Sequence, residues 1–178
     1  MARSRPLPWD PIAEARQNWR EWGWAEAADG MATVTSIMRV HQILLARIDA
    51  ALKPHGLSFA RFEMLRLLGF AKDHRMPMAR ARDLLQVHPA SITNVVDRLE
   101  TDGLVERVAH PDDGRSVLIQ LTSRGAGLVA AATASLNAEV FEDVGLSNDE
   151  LAGVAKAFAA FRQRAGDFEL PAAPPDPL

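Results

Sequence analysis

Residues 110–125, HPDDGRSVLIQLTSRG, gather turn formers and one arginine ahead of an alternating apolar run. Pro111, Asp112, Asp113 and Gly114 favour a turn, and Gly114 takes a positive φ at low cost. Arg115 then stands near the tip of a hairpin whose second strand is Val117–Leu121. A guanidinium on such a tip has the reach and charge to enter the narrow, strongly negative minor groove of DNA. Asp113, two residues earlier, is placed to hold it. The plain alternative is a solvated hairpin carrying a surface ion pair that contributes about 0–1 kcal/mol.

A second set of chemically able residues lies upstream. Pro89 suits the first position of a helix, because its missing N–H would have no partner there. The helix 89–102 buries Ile92, Val95, Val96 and Leu99 at i, i+3, i+4, i+7 spacing. That leaves Ala90, Ser91, Thr93, Asn94, Asp97 and Arg98 facing outward. Ser91, Thr93 and Asn94 can hydrogen-bond base edges or phosphates, and the small Ala90 can approach a thymine methyl. The N–H groups of the helix's first turn suit a phosphate. Taken alone, the same face also describes an ordinary solvated helix.

The order of elements decides between these readings. A short helix ending near Leu85, buried through Ala81, Leu84 and Leu85, runs through the tight link Gln86-Val87-His88 into helix 89–102. Helix 89–102 ends at Asp102-Gly103, and strands Leu104–Val108 and Val117–Leu121 follow. Short helix, tight turn, helix and hairpin make a winged helix-turn-helix, in which the second helix enters the major groove. After such a motif, a hairpin tipped by Arg115 reads as a wing. The predicted fold is mainly α with a small β-hairpin wing, flanked by N- and C-terminal helices.

The remaining segments frame this unit. Residues 1–30 hold all four tryptophans, Trp9, Trp19, Trp22 and Trp24, with a helix expected over 12–28 and a break at Gly30. From Thr33 to Leu52, the stripe Val34, Ile37, Met38, His41, Leu44, Leu45, Ile48 and Leu52 has helical spacing, and His41 on it is expected to be buried. It stops at Lys53-Pro54-His55-Gly56. Ser58 caps a helix that buries Phe59, Phe62, Leu65, Leu67 and Leu68, and residues 72–77 read as a loop. Thr122 starts an alanine-rich helix to about Val140. Ser147 and Glu150 form a capping box, with Leu146 and Leu151 spaced as a hydrophobic staple, for a last helix burying Leu151, Val154, Ala155, Phe158 and Phe161. The tail PAAPPDPL is expected to be disordered.

Composition limits the chemistry. At 178 residues, 48% hydrophobic and 24% charged, the chain fits one globular domain with appendages. It has no cysteine, which excludes disulfides and thiolate metal sites. No apolar run approaches the roughly 20 residues needed to span a bilayer, and MARSRPLPWDP lacks the apolar core of a secretory signal, so a cytoplasmic protein with no membrane partner is expected. A net charge of -3 argues against DNA binding by bulk attraction. Residues 72–125 hold eight bases and eight acids, and residues beyond 125 hold three bases and eight acids. Any contact with DNA must therefore rest on local geometry. His41, His55, His74, His88 and His110 are scattered, with no H-E-x-x-H, phosphate-binding loop, dinucleotide fingerprint or nucleophile elbow, so neither an enzyme nor a cofactor is expected.

The stretch Ala79 to Gly125 resembles the MarR family of bacterial transcriptional regulators. DRLETDGLVER (97–107), the D-x-R wing of Asp113 and Arg115, and LTSRG (121–125) carry the resemblance, which extends over roughly residues 31–165. It implies a homodimer whose terminal helices intertwine, with the two winged domains reading a pseudo-palindromic operator in double-stranded DNA. The implied division is an N-terminal extension (1–30), a MarR-like domain (31–165; winged helix about 58–121, dimerisation helices about 31–53 and 122–165) and a tail (166–178). The DNA contacts expected are Pro89, Ala90, Ser91, Thr93, Asn94, Arg98, Asp113, Gly114 and Arg115. Apolar residues on helices 122–140 and 147–164 exceed what a small winged domain can cover, which agrees with pairing of two chains.

Many MarR-like regulators answer to a small aromatic or anionic effector, and relief of repression by it is the family's usual outcome. The Trp-rich extension is similar to that of a urate-responsive subgroup, which would place Trp22, His41, Arg47 and Phe59 around an effector pocket. The rest of that subgroup's pocket pattern is not matched: its acidic partner has no clear place on the second helix, where Glu63 is the only acid. The alternative is that the tryptophans only pack the added helix. A winged helix used solely for protein–protein contact is the rival to DNA binding, and near-neutral charge is the feature that favours it.

Overall fold

The computed structural model describes residues 6–85, 89–110 and 117–169, and only the backbone of Pro89, Ala90 and Ser91. The chain divides into two units, Met1–Arg47 and Ile48–Leu178, and the long helix α2 runs from one into the other.

In the first unit, α1 spans Pro11–Glu21 and opens with Asp10, whose carboxylate accepts the Ile12 amide at 2.9 Å. Its chain turns at Trp22 and Gly23, where φ is +89°, and restarts as α2, Ala25–Leu52. The sequence places the break at Gly30, but α2 runs straight through that residue. A single helical glycine costs about 1 kcal/mol relative to alanine, too little to end a 28-residue helix. The positive φ at Gly23 is what ends α1. The two helices are tied by Asp29, which binds Arg16 Nε at 2.6 Å and Arg20 Nη2 at 3.1 Å. Trp19 and Trp24 pack edge to face at 5.4 Å.

In the second unit, the end of α2 and a 3₁₀ turn, Lys53–His55, lead to α3, Phe59–Phe70. Ser58 stands at its N-cap with extended backbone, although its hydroxyl makes no capping bond. A turn at Lys72–His74 precedes β1, Arg75–Pro77, where the sequence reads as loop. Then come α4, Met78–Leu85; α5, Pro89–Thr101; β2, Val105–Ala109; and β3, Val117–Leu121. The three strands form one antiparallel sheet in the order β1-β3-β2, with Met76 opposite Ile119 and Arg107 also opposite Ile119. Helix α6, Ser123–Leu136, continues as a π-helical turn, Asn137–Phe141, before α7, Asn148–Arg164.

The core sits where α3 meets α5, α6 and β3. Leu52, Met64, Leu65, Leu68, Ile92, Val96, Leu99, Ile119, Val129 and Leu136 are fully buried there. The capping box of α7 forms as its sequence indicates: Ser147 Oγ accepts the Glu150 amide, and Glu150 accepts the Ser147 amide. The expected burial on α7 is absent, however. Leu151, Val154, Phe158 and Phe161 are 37–65% exposed. Val34, Ile37, Met38 and Leu45 on α2 are exposed as well, as is His41. An amphipathic stripe records that a face avoids water, but not whether its own chain covers it.

Candidate nucleic-acid interface

The exposed side of α5 follows from its period. Ile92, Val96 and Leu99 are at most 2% exposed and Val95 is half-buried, so Thr93, Asn94, Asp97 and Arg98 turn outward. Those expectations agree with the structure. Pro89, Ala90 and Ser91 form the first turn of α5, and their side chains lie outside the described residues, as do Asp113, Gly114 and Arg115. Residues 110–116 separate the paired ends of the hairpin, since Ala109 pairs with Val117. Helix α4 precedes α5 with Ala81 buried and Leu85 half-buried, while Leu84 is 46% exposed, contrary to the sequence reading.

Several interactions that spacing does not reveal fix α5 in place. Arg107, in the middle of β2, reaches across to α5. Its Nη2 lies 2.5 Å from Asp97 Oδ1, and its Nη1 binds Glu100. Glu100 also accepts the Arg107 backbone amide at 3.3 Å. The hydrogen bond to Asp97, reinforced by the charges of both acids against a smaller opposing effect of burial, holds the guanidinium above its ordinary pKa. At the end of the helix, Asp102 pairs with Arg61 of α3, whose Nη1 also donates to the Gly56 carbonyl at 3.2 Å.

The LTSRG segment performs a structural task at the base of the hairpin. The Thr122 hydroxyl lies 2.9 Å and 3.1 Å from the carbonyls of Gly103 and Leu104, and it accepts the Gly125 amide at 3.0 Å. One side chain thus caps α6 and fastens it to the turn between α5 and β2.

The residues proposed for an effector are distributed over both units. Trp22, 77% exposed, stands at the α1–α2 turn, 6.4 Å from Trp24. His41 and Arg47 lie on α2, the former exposed and the latter half-buried. Between Ala25 and His41 the helix rises about 24 Å, so Trp22 and His41 of one chain cannot line the same small-molecule site. Phe59 belongs to the second unit and stacks on Phe62 at 6.4 Å. Glu63, half-buried on α3, has its carboxyl pushed up by that burial. Among the described residues no group of acids and histidines is arranged to hold a metal ion, and no helix is long and apolar enough to cross a membrane.

Helices α4 and α5 followed by the β2–β3 hairpin define a winged helix-turn-helix. A sequence model described as MarR family matches residues 55–116. The transcriptional regulator MhqR of Bacillus subtilis is 30% identical over 114 residues, covering 64% of this chain and 77% of MhqR. The repressor YetL of the same organism is 41% identical over 70 residues, 39% of this chain and 42% of YetL. Among solved structures, the MarR family regulator Sco5413 of Streptomyces coelicolor matches at 42% identity and a TM-score of 0.71, over 80% of this chain and 99% of that one. A variant of MarR from E. coli complexed with operator DNA shares the fold at 23% identity and a TM-score of 0.68, over 76% and 96%. CouR of Rhodococcus jostii, bound to p-coumaroyl-CoA, matches at 25% identity and a TM-score of 0.63, over 76% and 92%. The chain belongs to the MarR family of transcriptional regulators.

Proposed function

We propose that this protein is a cytoplasmic, ligand-responsive repressor that binds a pseudo-palindromic operator as a homodimer and catalyses no reaction. The observation that carries the reading is the α5 face. Thr93, Asn94 and Arg98 project from a helix whose other side is locked into the core, immediately before the hairpin that leads to Arg115. Pro89, Ala90, Ser91, Thr93, Asn94 and Arg98 serve the major groove in this reading, and Asp113, Gly114 and Arg115 the minor groove. That a MarR family protein of this fold has been captured with operator DNA supports the DNA-binding part of the reading. The exposed apolar residues of α2 and α7 supply the dimer surface, within dimerisation segments of about 31–53 and 122–165 of a MarR-like region spanning 31–165. Residues 1–30 are an added N-terminal segment and 166–178 a tail.

The effector part of the reading draws support from the ligand-bound relative CouR. Trp22, His41, Arg47 and Phe59 are its candidates, taken separately because of the distance along α2.

The test is a footprint on DNA flanking the protein's own gene, repeated with a panel of aromatic acids. Arg115→Ala should weaken operator binding by about 1–3 kcal/mol while leaving the dimer intact. Equal affinity with and without Arg115 would remove the wing from the reading. A complete absence of salt-sensitive DNA affinity would favour a winged helix used for protein contact.

A further inference from the structure

We propose that Arg107 is a positioning residue for DNA recognition: by holding Asp97 and Glu100 it sets the angle between α5 and the wing. This assignment rests on the DNA-binding reading above. Asp97 lies one turn beyond Thr93 and three residues beyond Asn94, so an acid stands on the very face proposed to meet an anionic partner. Glu100 follows three residues later. Both carboxylates are engaged by one guanidinium from β2, and Glu100 grips the backbone of the same residue. The clamp therefore acts on the strand itself as well as on a side chain. From Arg107 the strand runs through Val108 and Ala109 into the segment bearing Arg115. A tilt of β2 against α5 carries the paired β2–β3 hairpin with it.

Arg107 is poorly suited to be a phosphate contact. Both terminal nitrogens face carboxylates, and its side chain is 30% exposed. Its value is the planar fork, which meets two acids at once in fixed directions. A lysine carries the same charge as a single mobile point and cannot reproduce that geometry. Charge and geometry can therefore be separated experimentally.

Full-length wild-type protein would first select a duplex from a randomised pool. Affinity for that duplex and for a scrambled one is then measured over a salt series for wild type, Arg107→Lys and Asp97→Asn, with circular dichroism and melting to confirm folding. Positioning predicts that Arg107→Lys loses about 10-fold or more on the selected duplex. Binding to the scrambled duplex and the slope of log K against log salt stay as in wild type. Asp97→Asn is the sharper variant, since Asp97 is exposed and its loss should not prevent folding. Removing a negative charge from the DNA-facing side by itself favours tighter binding to both duplexes, whereas a broken clamp lowers the selected-to-scrambled ratio. Retained specificity in both variants overturns the assignment, as does a uniform loss with a salt slope shallower by about one, which marks a phosphate contact. A wild-type protein that enriches no sequence sinks the DNA reading itself, and the role of Arg107 with it.

Discussion

The carbonyl oxygen of Leu104 occupies the space that a side chain on Gly125 would need. A Cβ placed there would sit 2.1 Å from that oxygen and 2.8 Å from Leu121 Cδ1. The close approach lets α6 start directly against the strand leaving α5, with the Thr122 hydroxyl bonded in the same joint. The final residues of the LTSRG segment are thus a seam between the winged unit and the helix that leads out of it.

Gly125→Ala should consequently destabilise the fold by about 1–3 kcal/mol, because the clash is with backbone that cannot rotate away. At about 2–4 °C per kcal/mol for a chain of this size, the thermal midpoint falls by several degrees. Gly127→Ala in the same helix is the control. Nothing lies within 4 Å of its Cβ position, so the substitution should be neutral or raise the midpoint through better helix propensity. Equal behaviour of the two alanines in a melting experiment would refute the seam.

Thr122→Val keeps the shape but removes both the acceptor for the Gly125 amide and the donor toward Gly103 and Leu104. A loss of about 1 kcal/mol is expected, as for other helix N-caps. Thr122→Ser should recover most of it. Chemical denaturation midpoints of the three proteins decide the matter, and a valine variant as stable as wild type would show that the hydroxyl contributes nothing.

Glu63 gives a pH signature. Burial raises its carboxyl pKa in the folded chain above the unfolded value. The folded state therefore binds the proton more tightly, and stability is greatest below the unfolded pKa and declines as pH rises through the folded one. Above that window the charged carboxylate is held half-buried at a cost. Glu63→Gln should raise the melting temperature at neutral pH, with the gain vanishing as pH falls below about 4.3, the ordinary glutamate value. A gain that persists unchanged in acid would mean that packing of the amide, not the charge, is responsible.

How much of this was legible follows from the range over which each signal acts. The period of α5, the capping box of α7 and the turn at Lys53-Pro54-His55-Gly56 are local, and they appear where the sequence puts them. Strand β1 escaped because Arg75–Pro77 is too short to show alternation and exists through its pairing with β3. The clamp of Arg107 on Asp97 and Glu100 joins a strand to a helix seven to ten positions earlier, on no common period. DRLETDGLVER contains all three residues, yet only the fold shows that they meet. The buried face expected on α7 was real as a pattern, but one chain leaves it in water.

That face yields the last prediction. Leu151, Val154, Phe158 and Phe161 lie along one side of α7 at i, i+3, i+7 and i+10, all exposed, and Val34, Ile37 and Met38 stand exposed on α2. An exposed apolar stripe along a helix marks an interface more often than a solvated face. A second copy of the chain is the partner that the proposed operator symmetry requires. Phe158→Glu adds a charge where the interface would be apolar, while glutamate's strong helix propensity preserves α7. Sedimentation at micromolar concentration should show wild type as a dimer and the variant shifted toward monomer. Its far-ultraviolet circular dichroism should stay helical, because none of α7 belongs to the buried core of the single chain. DNA affinity should fall with dimerisation, since one winged unit then meets one half-site without the help of its mate. A variant that remains a full dimer would place the contact elsewhere than on α7.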